Sequence, residues 1–154
     1  MPNRSTIERA KKDLRQGKSP STAAGEFVRE EIEHVREGEH GARSPQQAIA
    51  IGLSKARRAG IPLAPPRKGE VKESTRKSAK RDYEKGQAGV AEATSPRASR
   101  TRKKILEQEP HSSASHQALS AQTRTAARKR MSRDRQDAAA KAAETKKTNR
   151  GLSR

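Results

Sequence analysis

Residues 19–60 read SPSTAAGEFVREEIEHVREGEHGARSPQQAIAIGLSKARRAG, and their punctuation decides the fold. Ser19-Pro20 opens a helix, with serine as cap and proline at the first helical position, where an N–H would lack an intrahelical partner anyway. Ala24, Phe27, Val28, Ile32 and Val35 then fall on one stripe of 3.6-residue period, and Gly38 is a left-handed stop. Ser44-Pro45-Gln46-Gln47 opens another helix in the same way, with Gln47 as a capping-box glutamine. That helix carries Ile49, Leu53 and Ala56 on one face, Gly52 at a point of close approach, and Gly60 as its stop. Upstream, Ser5-Thr6-Ile7-Glu8 reads as a capping box, and Ile7, Ala10 and Leu14 follow on one face before Gly17. Three short helices with their own starts and stops predict an all-α unit over residues 1–60.

Working outward, composition limits what this unit can be. Of 154 residues 29% are hydrophobic, 24 of them alanine, which leaves 20 with a large apolar side chain. An ordinary globular domain is about 45–50% apolar, so a well-packed enzyme core is not expected. The formal net charge is +18. Residues 1–60 hold 12 basic and 8 acidic residues, and residues 61–154 hold 24 and 10. Large apolar residues run the other way, with 11 from Ile7 to Leu63 and 8 from Val71 onward. The first part can bury something and the second mainly presents charge. Between them, Pro62, Pro65 and Pro66 favour an extended connection, read as a linker over 61–73. With no cysteine there is no disulfide framework and no thiolate chemistry. The longest apolar run, Ala48 to Leu53, is far short of the roughly 20 residues of a membrane span. The opening MPNRSTIERAKKD lacks the apolar stretch of a secretory signal. No membrane partner is therefore expected, and the expected location is cytoplasmic and nucleoid-associated.

An internal repeat organises the second half. Residues 5–17 read STIERAKKDLRQG and residues 74–86 read STRKSAKRDYEKG, with six identities, among them Ala10/Ala79, Asp13/Asp82 and Gly17/Gly86. A weaker match continues through Gln47-Ala48-Ile49 and Gln117-Ala118-Leu119. We read a degenerate duplication over 74–130, followed by an Ala/Lys-rich tail over 131–154. Basic helices of biased composition also resemble one another, which weakens such matches. The second copy places Arg97 and Arg102 where the first has Phe27 and Ile32, so it is expected to be only partly ordered. The tail contains a strong helix former at Asp137 to Glu144, and its last residues, Lys146 to Arg154, read as disordered.

The basic residues carry the functional reading. Candidate contacts are Lys55, Arg57 and Arg58; Arg76, Lys77, Lys80 and Arg81; Arg100, Arg102, Lys103 and Lys104; and Arg124, Arg128, Lys129, Arg130 and Arg133. Binding a polyanion through such groups releases counterions and needs no shaped pocket. Phosphate contacts carry little sequence information, so low specificity is expected. Phe27 and Tyr83 are the only aromatics, too few for base-stacking platforms. A helix-turn-helix reading of 20–60 would use Gln46, Gln47, Ser54, Lys55 and Arg58, but the helix before it carries Glu30, Glu31, Glu33, Glu37 and Glu39, which repel phosphate. Glu31-x-x-His34 has the carboxylate–histidine spacing of helical di-metal bundles. The second copy offers Thr101 and Lys104 instead, so these acids are read as a charged solvent face with no metal and no cofactor. His111 and His116, in a Ser-rich run, read as a flexible helix start. No phosphate loop, nucleophile elbow or paired carboxylates are present, so no enzyme activity is expected.

The quoted 19–60 segment, above all ARSPQQAIAIGLSKARRAG, resembles the shared core of an uncharacterised bacterial family of small, highly basic helical proteins. The resemblance covers residues 1–68 and is weaker in the later stretches TRKSAKRDYEKG and SHQALSAQTRTAARKR. It implies a bacterial source and a boundary near Pro66, and it carries no activity. The leading expectation is non-enzymatic DNA binding through phosphates, by a nucleoid-type accessory protein. Binding to structured RNA or the ribosome is the second. A protein-interaction adaptor is the third, with the Phe27/Val28/Ile32/Val35 stripe meeting a partner or a second copy in a homodimer. A 1–66 fragment is expected to keep its helicity and lose most of its polyanion affinity.

Overall fold

A computed structural model describes residues 2–89 and 96–151, apart from the side chains of 96, 98 and 138–151. The described residues are helical, with a single isolated bridge, Lys68 to Val71, and no strand. Helix α1 spans Arg4–Arg15, α2 Pro20–Glu37, α3 Pro45–Arg58, α4 Glu73–Gln87, α5 Pro96–Glu107 and α6 His116–Gly151, with a 3₁₀ turn at Ser112–Ala114. Residues up to Ser115 form one compact unit and those from His116 onward a second.

Local chemistry sets α2 and α3 as expected. Ser19 Oγ accepts from the Thr22 N–H at 3.2 Å, and Ser44 Oγ from the Gln47 N–H at 3.3 Å. The Gln47 side chain reaches back to the Arg43 N–H at 2.8 Å. Gly38 follows α2 at φ +81°, and Gly17 follows α1 at φ +76°. The start of α1 differs. The helix begins at Arg4 with Asn3 in the cap position, so Ser5 lies inside it rather than capping it. The Asn3 N–H donates to Glu30 Oε1 at 2.7 Å, so α1 is started by a bond to α2.

The core is built mostly from alanine. Ala10, Ala23, Ala24, Phe27, Ala56 and Ile61 form one buried cluster, bordered by Ile7, Leu14, Leu53, Ala59 and Leu63. Val35, Ala42, Ala48 and Ala114 form another, bordered by Ile32. Small side chains let helices approach closely: a Cβ on Gly52 would lie 2.7 Å from Val28 Cα, in accord with its reading as a point of close approach. The stripe on α2 therefore faces the protein's own core. Phe27 and Val35 are fully buried, which removes them from the surface that an adaptor or a homodimer would use.

Three parts of the sequence reading change. The proline-rich stretch is a strap rather than a spacer: Ile61 is buried, Leu63 packs on the core, and Arg57 donates to the Leu63 and Ala64 carbonyls at 3.2 and 3.4 Å. Next, α4 packs against α3, with Ala79 and Asp82 buried, so the second copy begins by completing the first unit. Ala10 and Ala79 are both buried, but Thr6 is buried while Thr75 is exposed. Gly86 lies within α4 rather than stopping it; a Cβ there would overlap the Arg57 carbonyl, and the left-handed residue beyond the helix is Gly89. Finally, the expected boundary at 131 falls inside α6, which at 36 residues is about 54 Å long. Residues 152–154 lie outside the described residues.

Residues 106–114 also return to the first unit. The Gly41 and Ala42 N–H groups donate to the Leu106 and Pro110 carbonyls at 2.8 and 3.0 Å. Arg36 Nε donates to the Ala114 carbonyl at 2.9 Å, and His111 Nδ1 to the Val35 carbonyl at 3.0 Å. His111 is thus tied to α2 rather than lying in a flexible helix start. A 1–66 fragment would lack α4 against α3 and Ala114 in the second cluster, whereas the compact unit 1–115 keeps both.

The close approach at Gly86 is testable. Gly86→Ala is expected to destabilise by about 1–3 kcal/mol in urea unfolding, because two backbones must separate to admit the methyl group. Gly25→Ala, in α2 with nothing within 4 Å of its Cβ position, is expected to stabilise by about 0.5–1 kcal/mol. A neutral Gly86→Ala would show that α4 does not dock there.

Candidate functional site

The basic candidates divide by what already holds them. Lys55 Nζ lies 2.5 Å from Glu31 Oε2. Arg57 is buried on the strap carbonyls, and its burial lowers its pKa while Asp82 opposes the shift. Arg58 Nε donates to Asp82 Oδ1 at 2.9 Å, and the Ser54 hydroxyl donates to Asp82 Oδ2 at 2.6 Å. The Lys55, Arg57 and Arg58 cluster is therefore engaged in joining α2, α3, α4 and the strap. The same bonds engage Ser54, Lys55 and Arg58 of the helix-turn-helix reading surface, which α4 and α2 now occupy. Sequence supplied the charge of this cluster but not the acids that meet it.

Along α4 and α5 the partners are local. Arg76 donates through two nitrogens to Glu73 at 2.9 and 2.7 Å, and this bond holds the Glu73 carboxyl below its ordinary pKa. Lys80 stands 3.6 Å from Glu84, and Arg81 donates to Ser78 Oγ at 3.3 Å. Lys77, Lys80 and Arg81 are exposed on the side of α4 away from Ala79 and Asp82. On α5, Arg97, Arg100, Arg102, Lys103 and Lys104 are all exposed, with Lys103 3.8 Å from Glu107. Such exposed pairs at three- and four-residue spacing contribute little to stability and leave cations at the surface.

Helix α6 is different in kind. Arg124, Arg128, Lys129, Arg130, Arg133 and Arg135 are exposed, against Asp134 and Asp137 over the described side chains. Its apolar residues do not gather on one face. A helix with no apolar stripe has nothing to bury against a core. What it offers is a rod of cations.

A second cluster lies inside the first unit, where a solvent face was expected. Glu30 and Glu31 are buried, Glu31 completely. Glu31 Oε1 is 3.3 Å from His40 Nε2, but neither it nor Glu30 Oε2 has a hydrogen-bond partner. His34 Nε2 is 3.7 Å from Glu30 Oε1, and its Nδ1 is 3.7 Å from Glu39 Oε2. The His34 and His40 rings meet edge to face at 6.1 Å. The signal was in the spacing: Phe27, Glu31 and Val35 are four residues apart, as are Glu30 and His34, so both acids follow the core-facing positions of α2. Nothing in the sequence near α2 announced His40, which comes from the connection between α2 and α3.

No known protein family, curated protein sequence or solved structure matches the chain. Among the described residues no helix is long and apolar enough to cross a membrane.

Proposed function

We propose that this protein binds DNA non-enzymatically and with low sequence specificity, through contacts to backbone phosphates, as a nucleoid-type accessory protein. One observation carries the reading: over its described side chains α6 combines six exposed cations with two acids, and the helix has no apolar stripe. Exposed cations on α4 and α5 extend the same chemistry. A rod of about 54 Å matches the rise of roughly 16 base pairs, and each phosphate it neutralises releases counterions. The compact unit supplies the scaffold, and its own cluster of Lys55, Arg57 and Arg58 is occupied by Glu31, Asp82 and the strap carbonyls.

The test is fluorescence anisotropy of the full chain on a labelled duplex and on a folded RNA hairpin, at several salt concentrations. With six phosphate contacts the slope of log K against log salt on duplex DNA is expected to be roughly −5. Equal affinity for duplexes of unrelated sequence is expected. A tenfold preference for the hairpin would assign structured RNA instead. No binding to either at low salt would remove the polyanion reading and return the chain to a protein-interaction role.

A further inference from the structure

We propose that Glu31, His34 and His40 form a binding site for a divalent transition-metal ion of the zinc type, which pins the connection between α2 and α3. One donor atom from each of the three residues lies within 4.8 Å of the others. Four-coordinate zinc holds N and O ligands at about 2.0–2.2 Å, which places neighbouring ligand atoms roughly 3.4 Å apart, so closure requires a shift of about 1 Å.

The geometry favours a cation between these groups. His40 Nδ1 lies 3.1 Å from the Gly41 carbonyl oxygen, which can only accept, so Nδ1 carries the hydrogen. The other ring nitrogen, Nε2, lies 3.3 Å from Glu31 Oε1, which is buried and without a hydrogen-bond partner. A buried carboxylate oxygen without a partner costs free energy, which a cation held between it and the imidazole would offset. His34 completes the set from one turn along α2. Whichever of its ring nitrogens ligates, the other faces a carboxylate, Glu30 or Glu39, as ligating histidines commonly require.

Charge points the same way. Glu30, Glu31 and Glu39 bring three negative charges to the cluster and Lys55 brings one positive charge on Glu31 Oε2, so a divalent ion on Oε1 would leave the group neutral. Two imidazoles with one carboxylate suit zinc, nickel or copper and disfavour the hard cations magnesium and calcium. The side chains of His34 and His40 are 13% and 15% exposed, which leaves an edge for entry and for a water ligand. Here the role is structural. His40 is followed by Gly41 and Ala42, whose N–H groups hold the Leu106 and Pro110 carbonyls, so an ion fixing His40 to α2 also fixes the return of residues 106–114.

Titration of the metal-free full chain with zinc chloride by calorimetry should give one equivalent bound. Cobalt(II) in its place should give the visible bands of a four-coordinate N,O site. His40→Gln is expected to weaken zinc binding at least tenfold while keeping the circular dichroism of the parent, and Glu31→Gln to do the same or more. Should Glu31→Gln fail to fold, His40→Gln at the rim carries the test. His116→Gln, outside the cluster, should bind as the parent does. Zinc, unlike magnesium, should raise the Tm of the parent and leave that of His40→Gln unchanged. Equal zinc affinity in parent and His40→Gln, or no stoichiometric binding, would overturn the site and leave the cluster a buried network of acids and bases. Neither result bears on DNA affinity, which rests on α4 to α6.

Discussion

Phe27→Ala is expected to cost about 3–5 kcal/mol of unfolding free energy, the largest stability loss from any single side chain here. Phe27 is the largest fully buried side chain, and it sits among Ala10, Ala23, Ala24 and Ala56. Alanine neighbours have no torsions with which to fill a void, so only the bordering Ile7, Leu14, Leu53 and Leu63 can move into it and most of the cavity stays open. The helices around it cannot close in either, because Gly52 already brings α3 onto the backbone of α2 at Phe27 and Val28. Total stabilities of single domains are about 5–15 kcal/mol, and an alanine-rich core places this one toward the lower end. Phe27→Ala should therefore be partly unfolded at 37 °C, read as a lower urea midpoint by circular dichroism. Phe27→Leu, which keeps most of the volume, should lose less than half as much. A loss below 1 kcal/mol for Phe27→Ala would show that the alanine cluster holds without its aromatic centre.

What was legible in the sequence was local. Ser19-Pro20 and Ser44-Pro45 start helices through bonds to residues three positions away, so nothing distant is needed to read them. The start of α1 was displaced because the Asn3 N–H is satisfied by Glu30 Oε1, 27 residues along, which a capping pattern cannot see. The strap was misread for the same reason. Three prolines state that 61–66 is extended, but only the Arg57 side chain, bonded to two of its carbonyls, states that it is held down. The functional reading divides likewise. The basic character of α6 is a compositional property and survives in the structure, because that helix has no apolar stripe by which to be buried. Lys55 and Arg58 carried the same charge in the sequence, and tertiary structure pairs them with Glu31 and Asp82. Glu30 and Glu31 show the opposite error. Their charge suggested solvent, while their four-residue spacing from core positions pointed inward, and the spacing prevailed because Lys55 and the Asn3 N–H were there to receive them.

Replacing Arg124, Arg128, Lys129 and Arg130 together by glutamine is expected to produce the largest change in DNA affinity. Glutamine keeps a good helix propensity, so α6 should remain helical and the comparison isolates charge. Each phosphate contact contributes about −0.9 to the slope of log K against log salt, so four lost contacts should flatten it by between 3 and 4, roughly. Between 50 and 200 mM salt the parent should then weaken roughly a thousandfold and the variant only roughly tenfold. A loss of positive charge anywhere would also reduce long-range attraction, and the control must remove that explanation. Arg4, Lys11, Lys12 and Arg15 lie exposed on α1, and changing these four to glutamine removes the same charge from the compact unit. If α6 makes the contacts, the α1 variant keeps the parent slope, because a cation that touches no phosphate releases no condensed counterions. If both variants flatten the slope equally, the protein binds as a diffuse cation and α6 is not its interface.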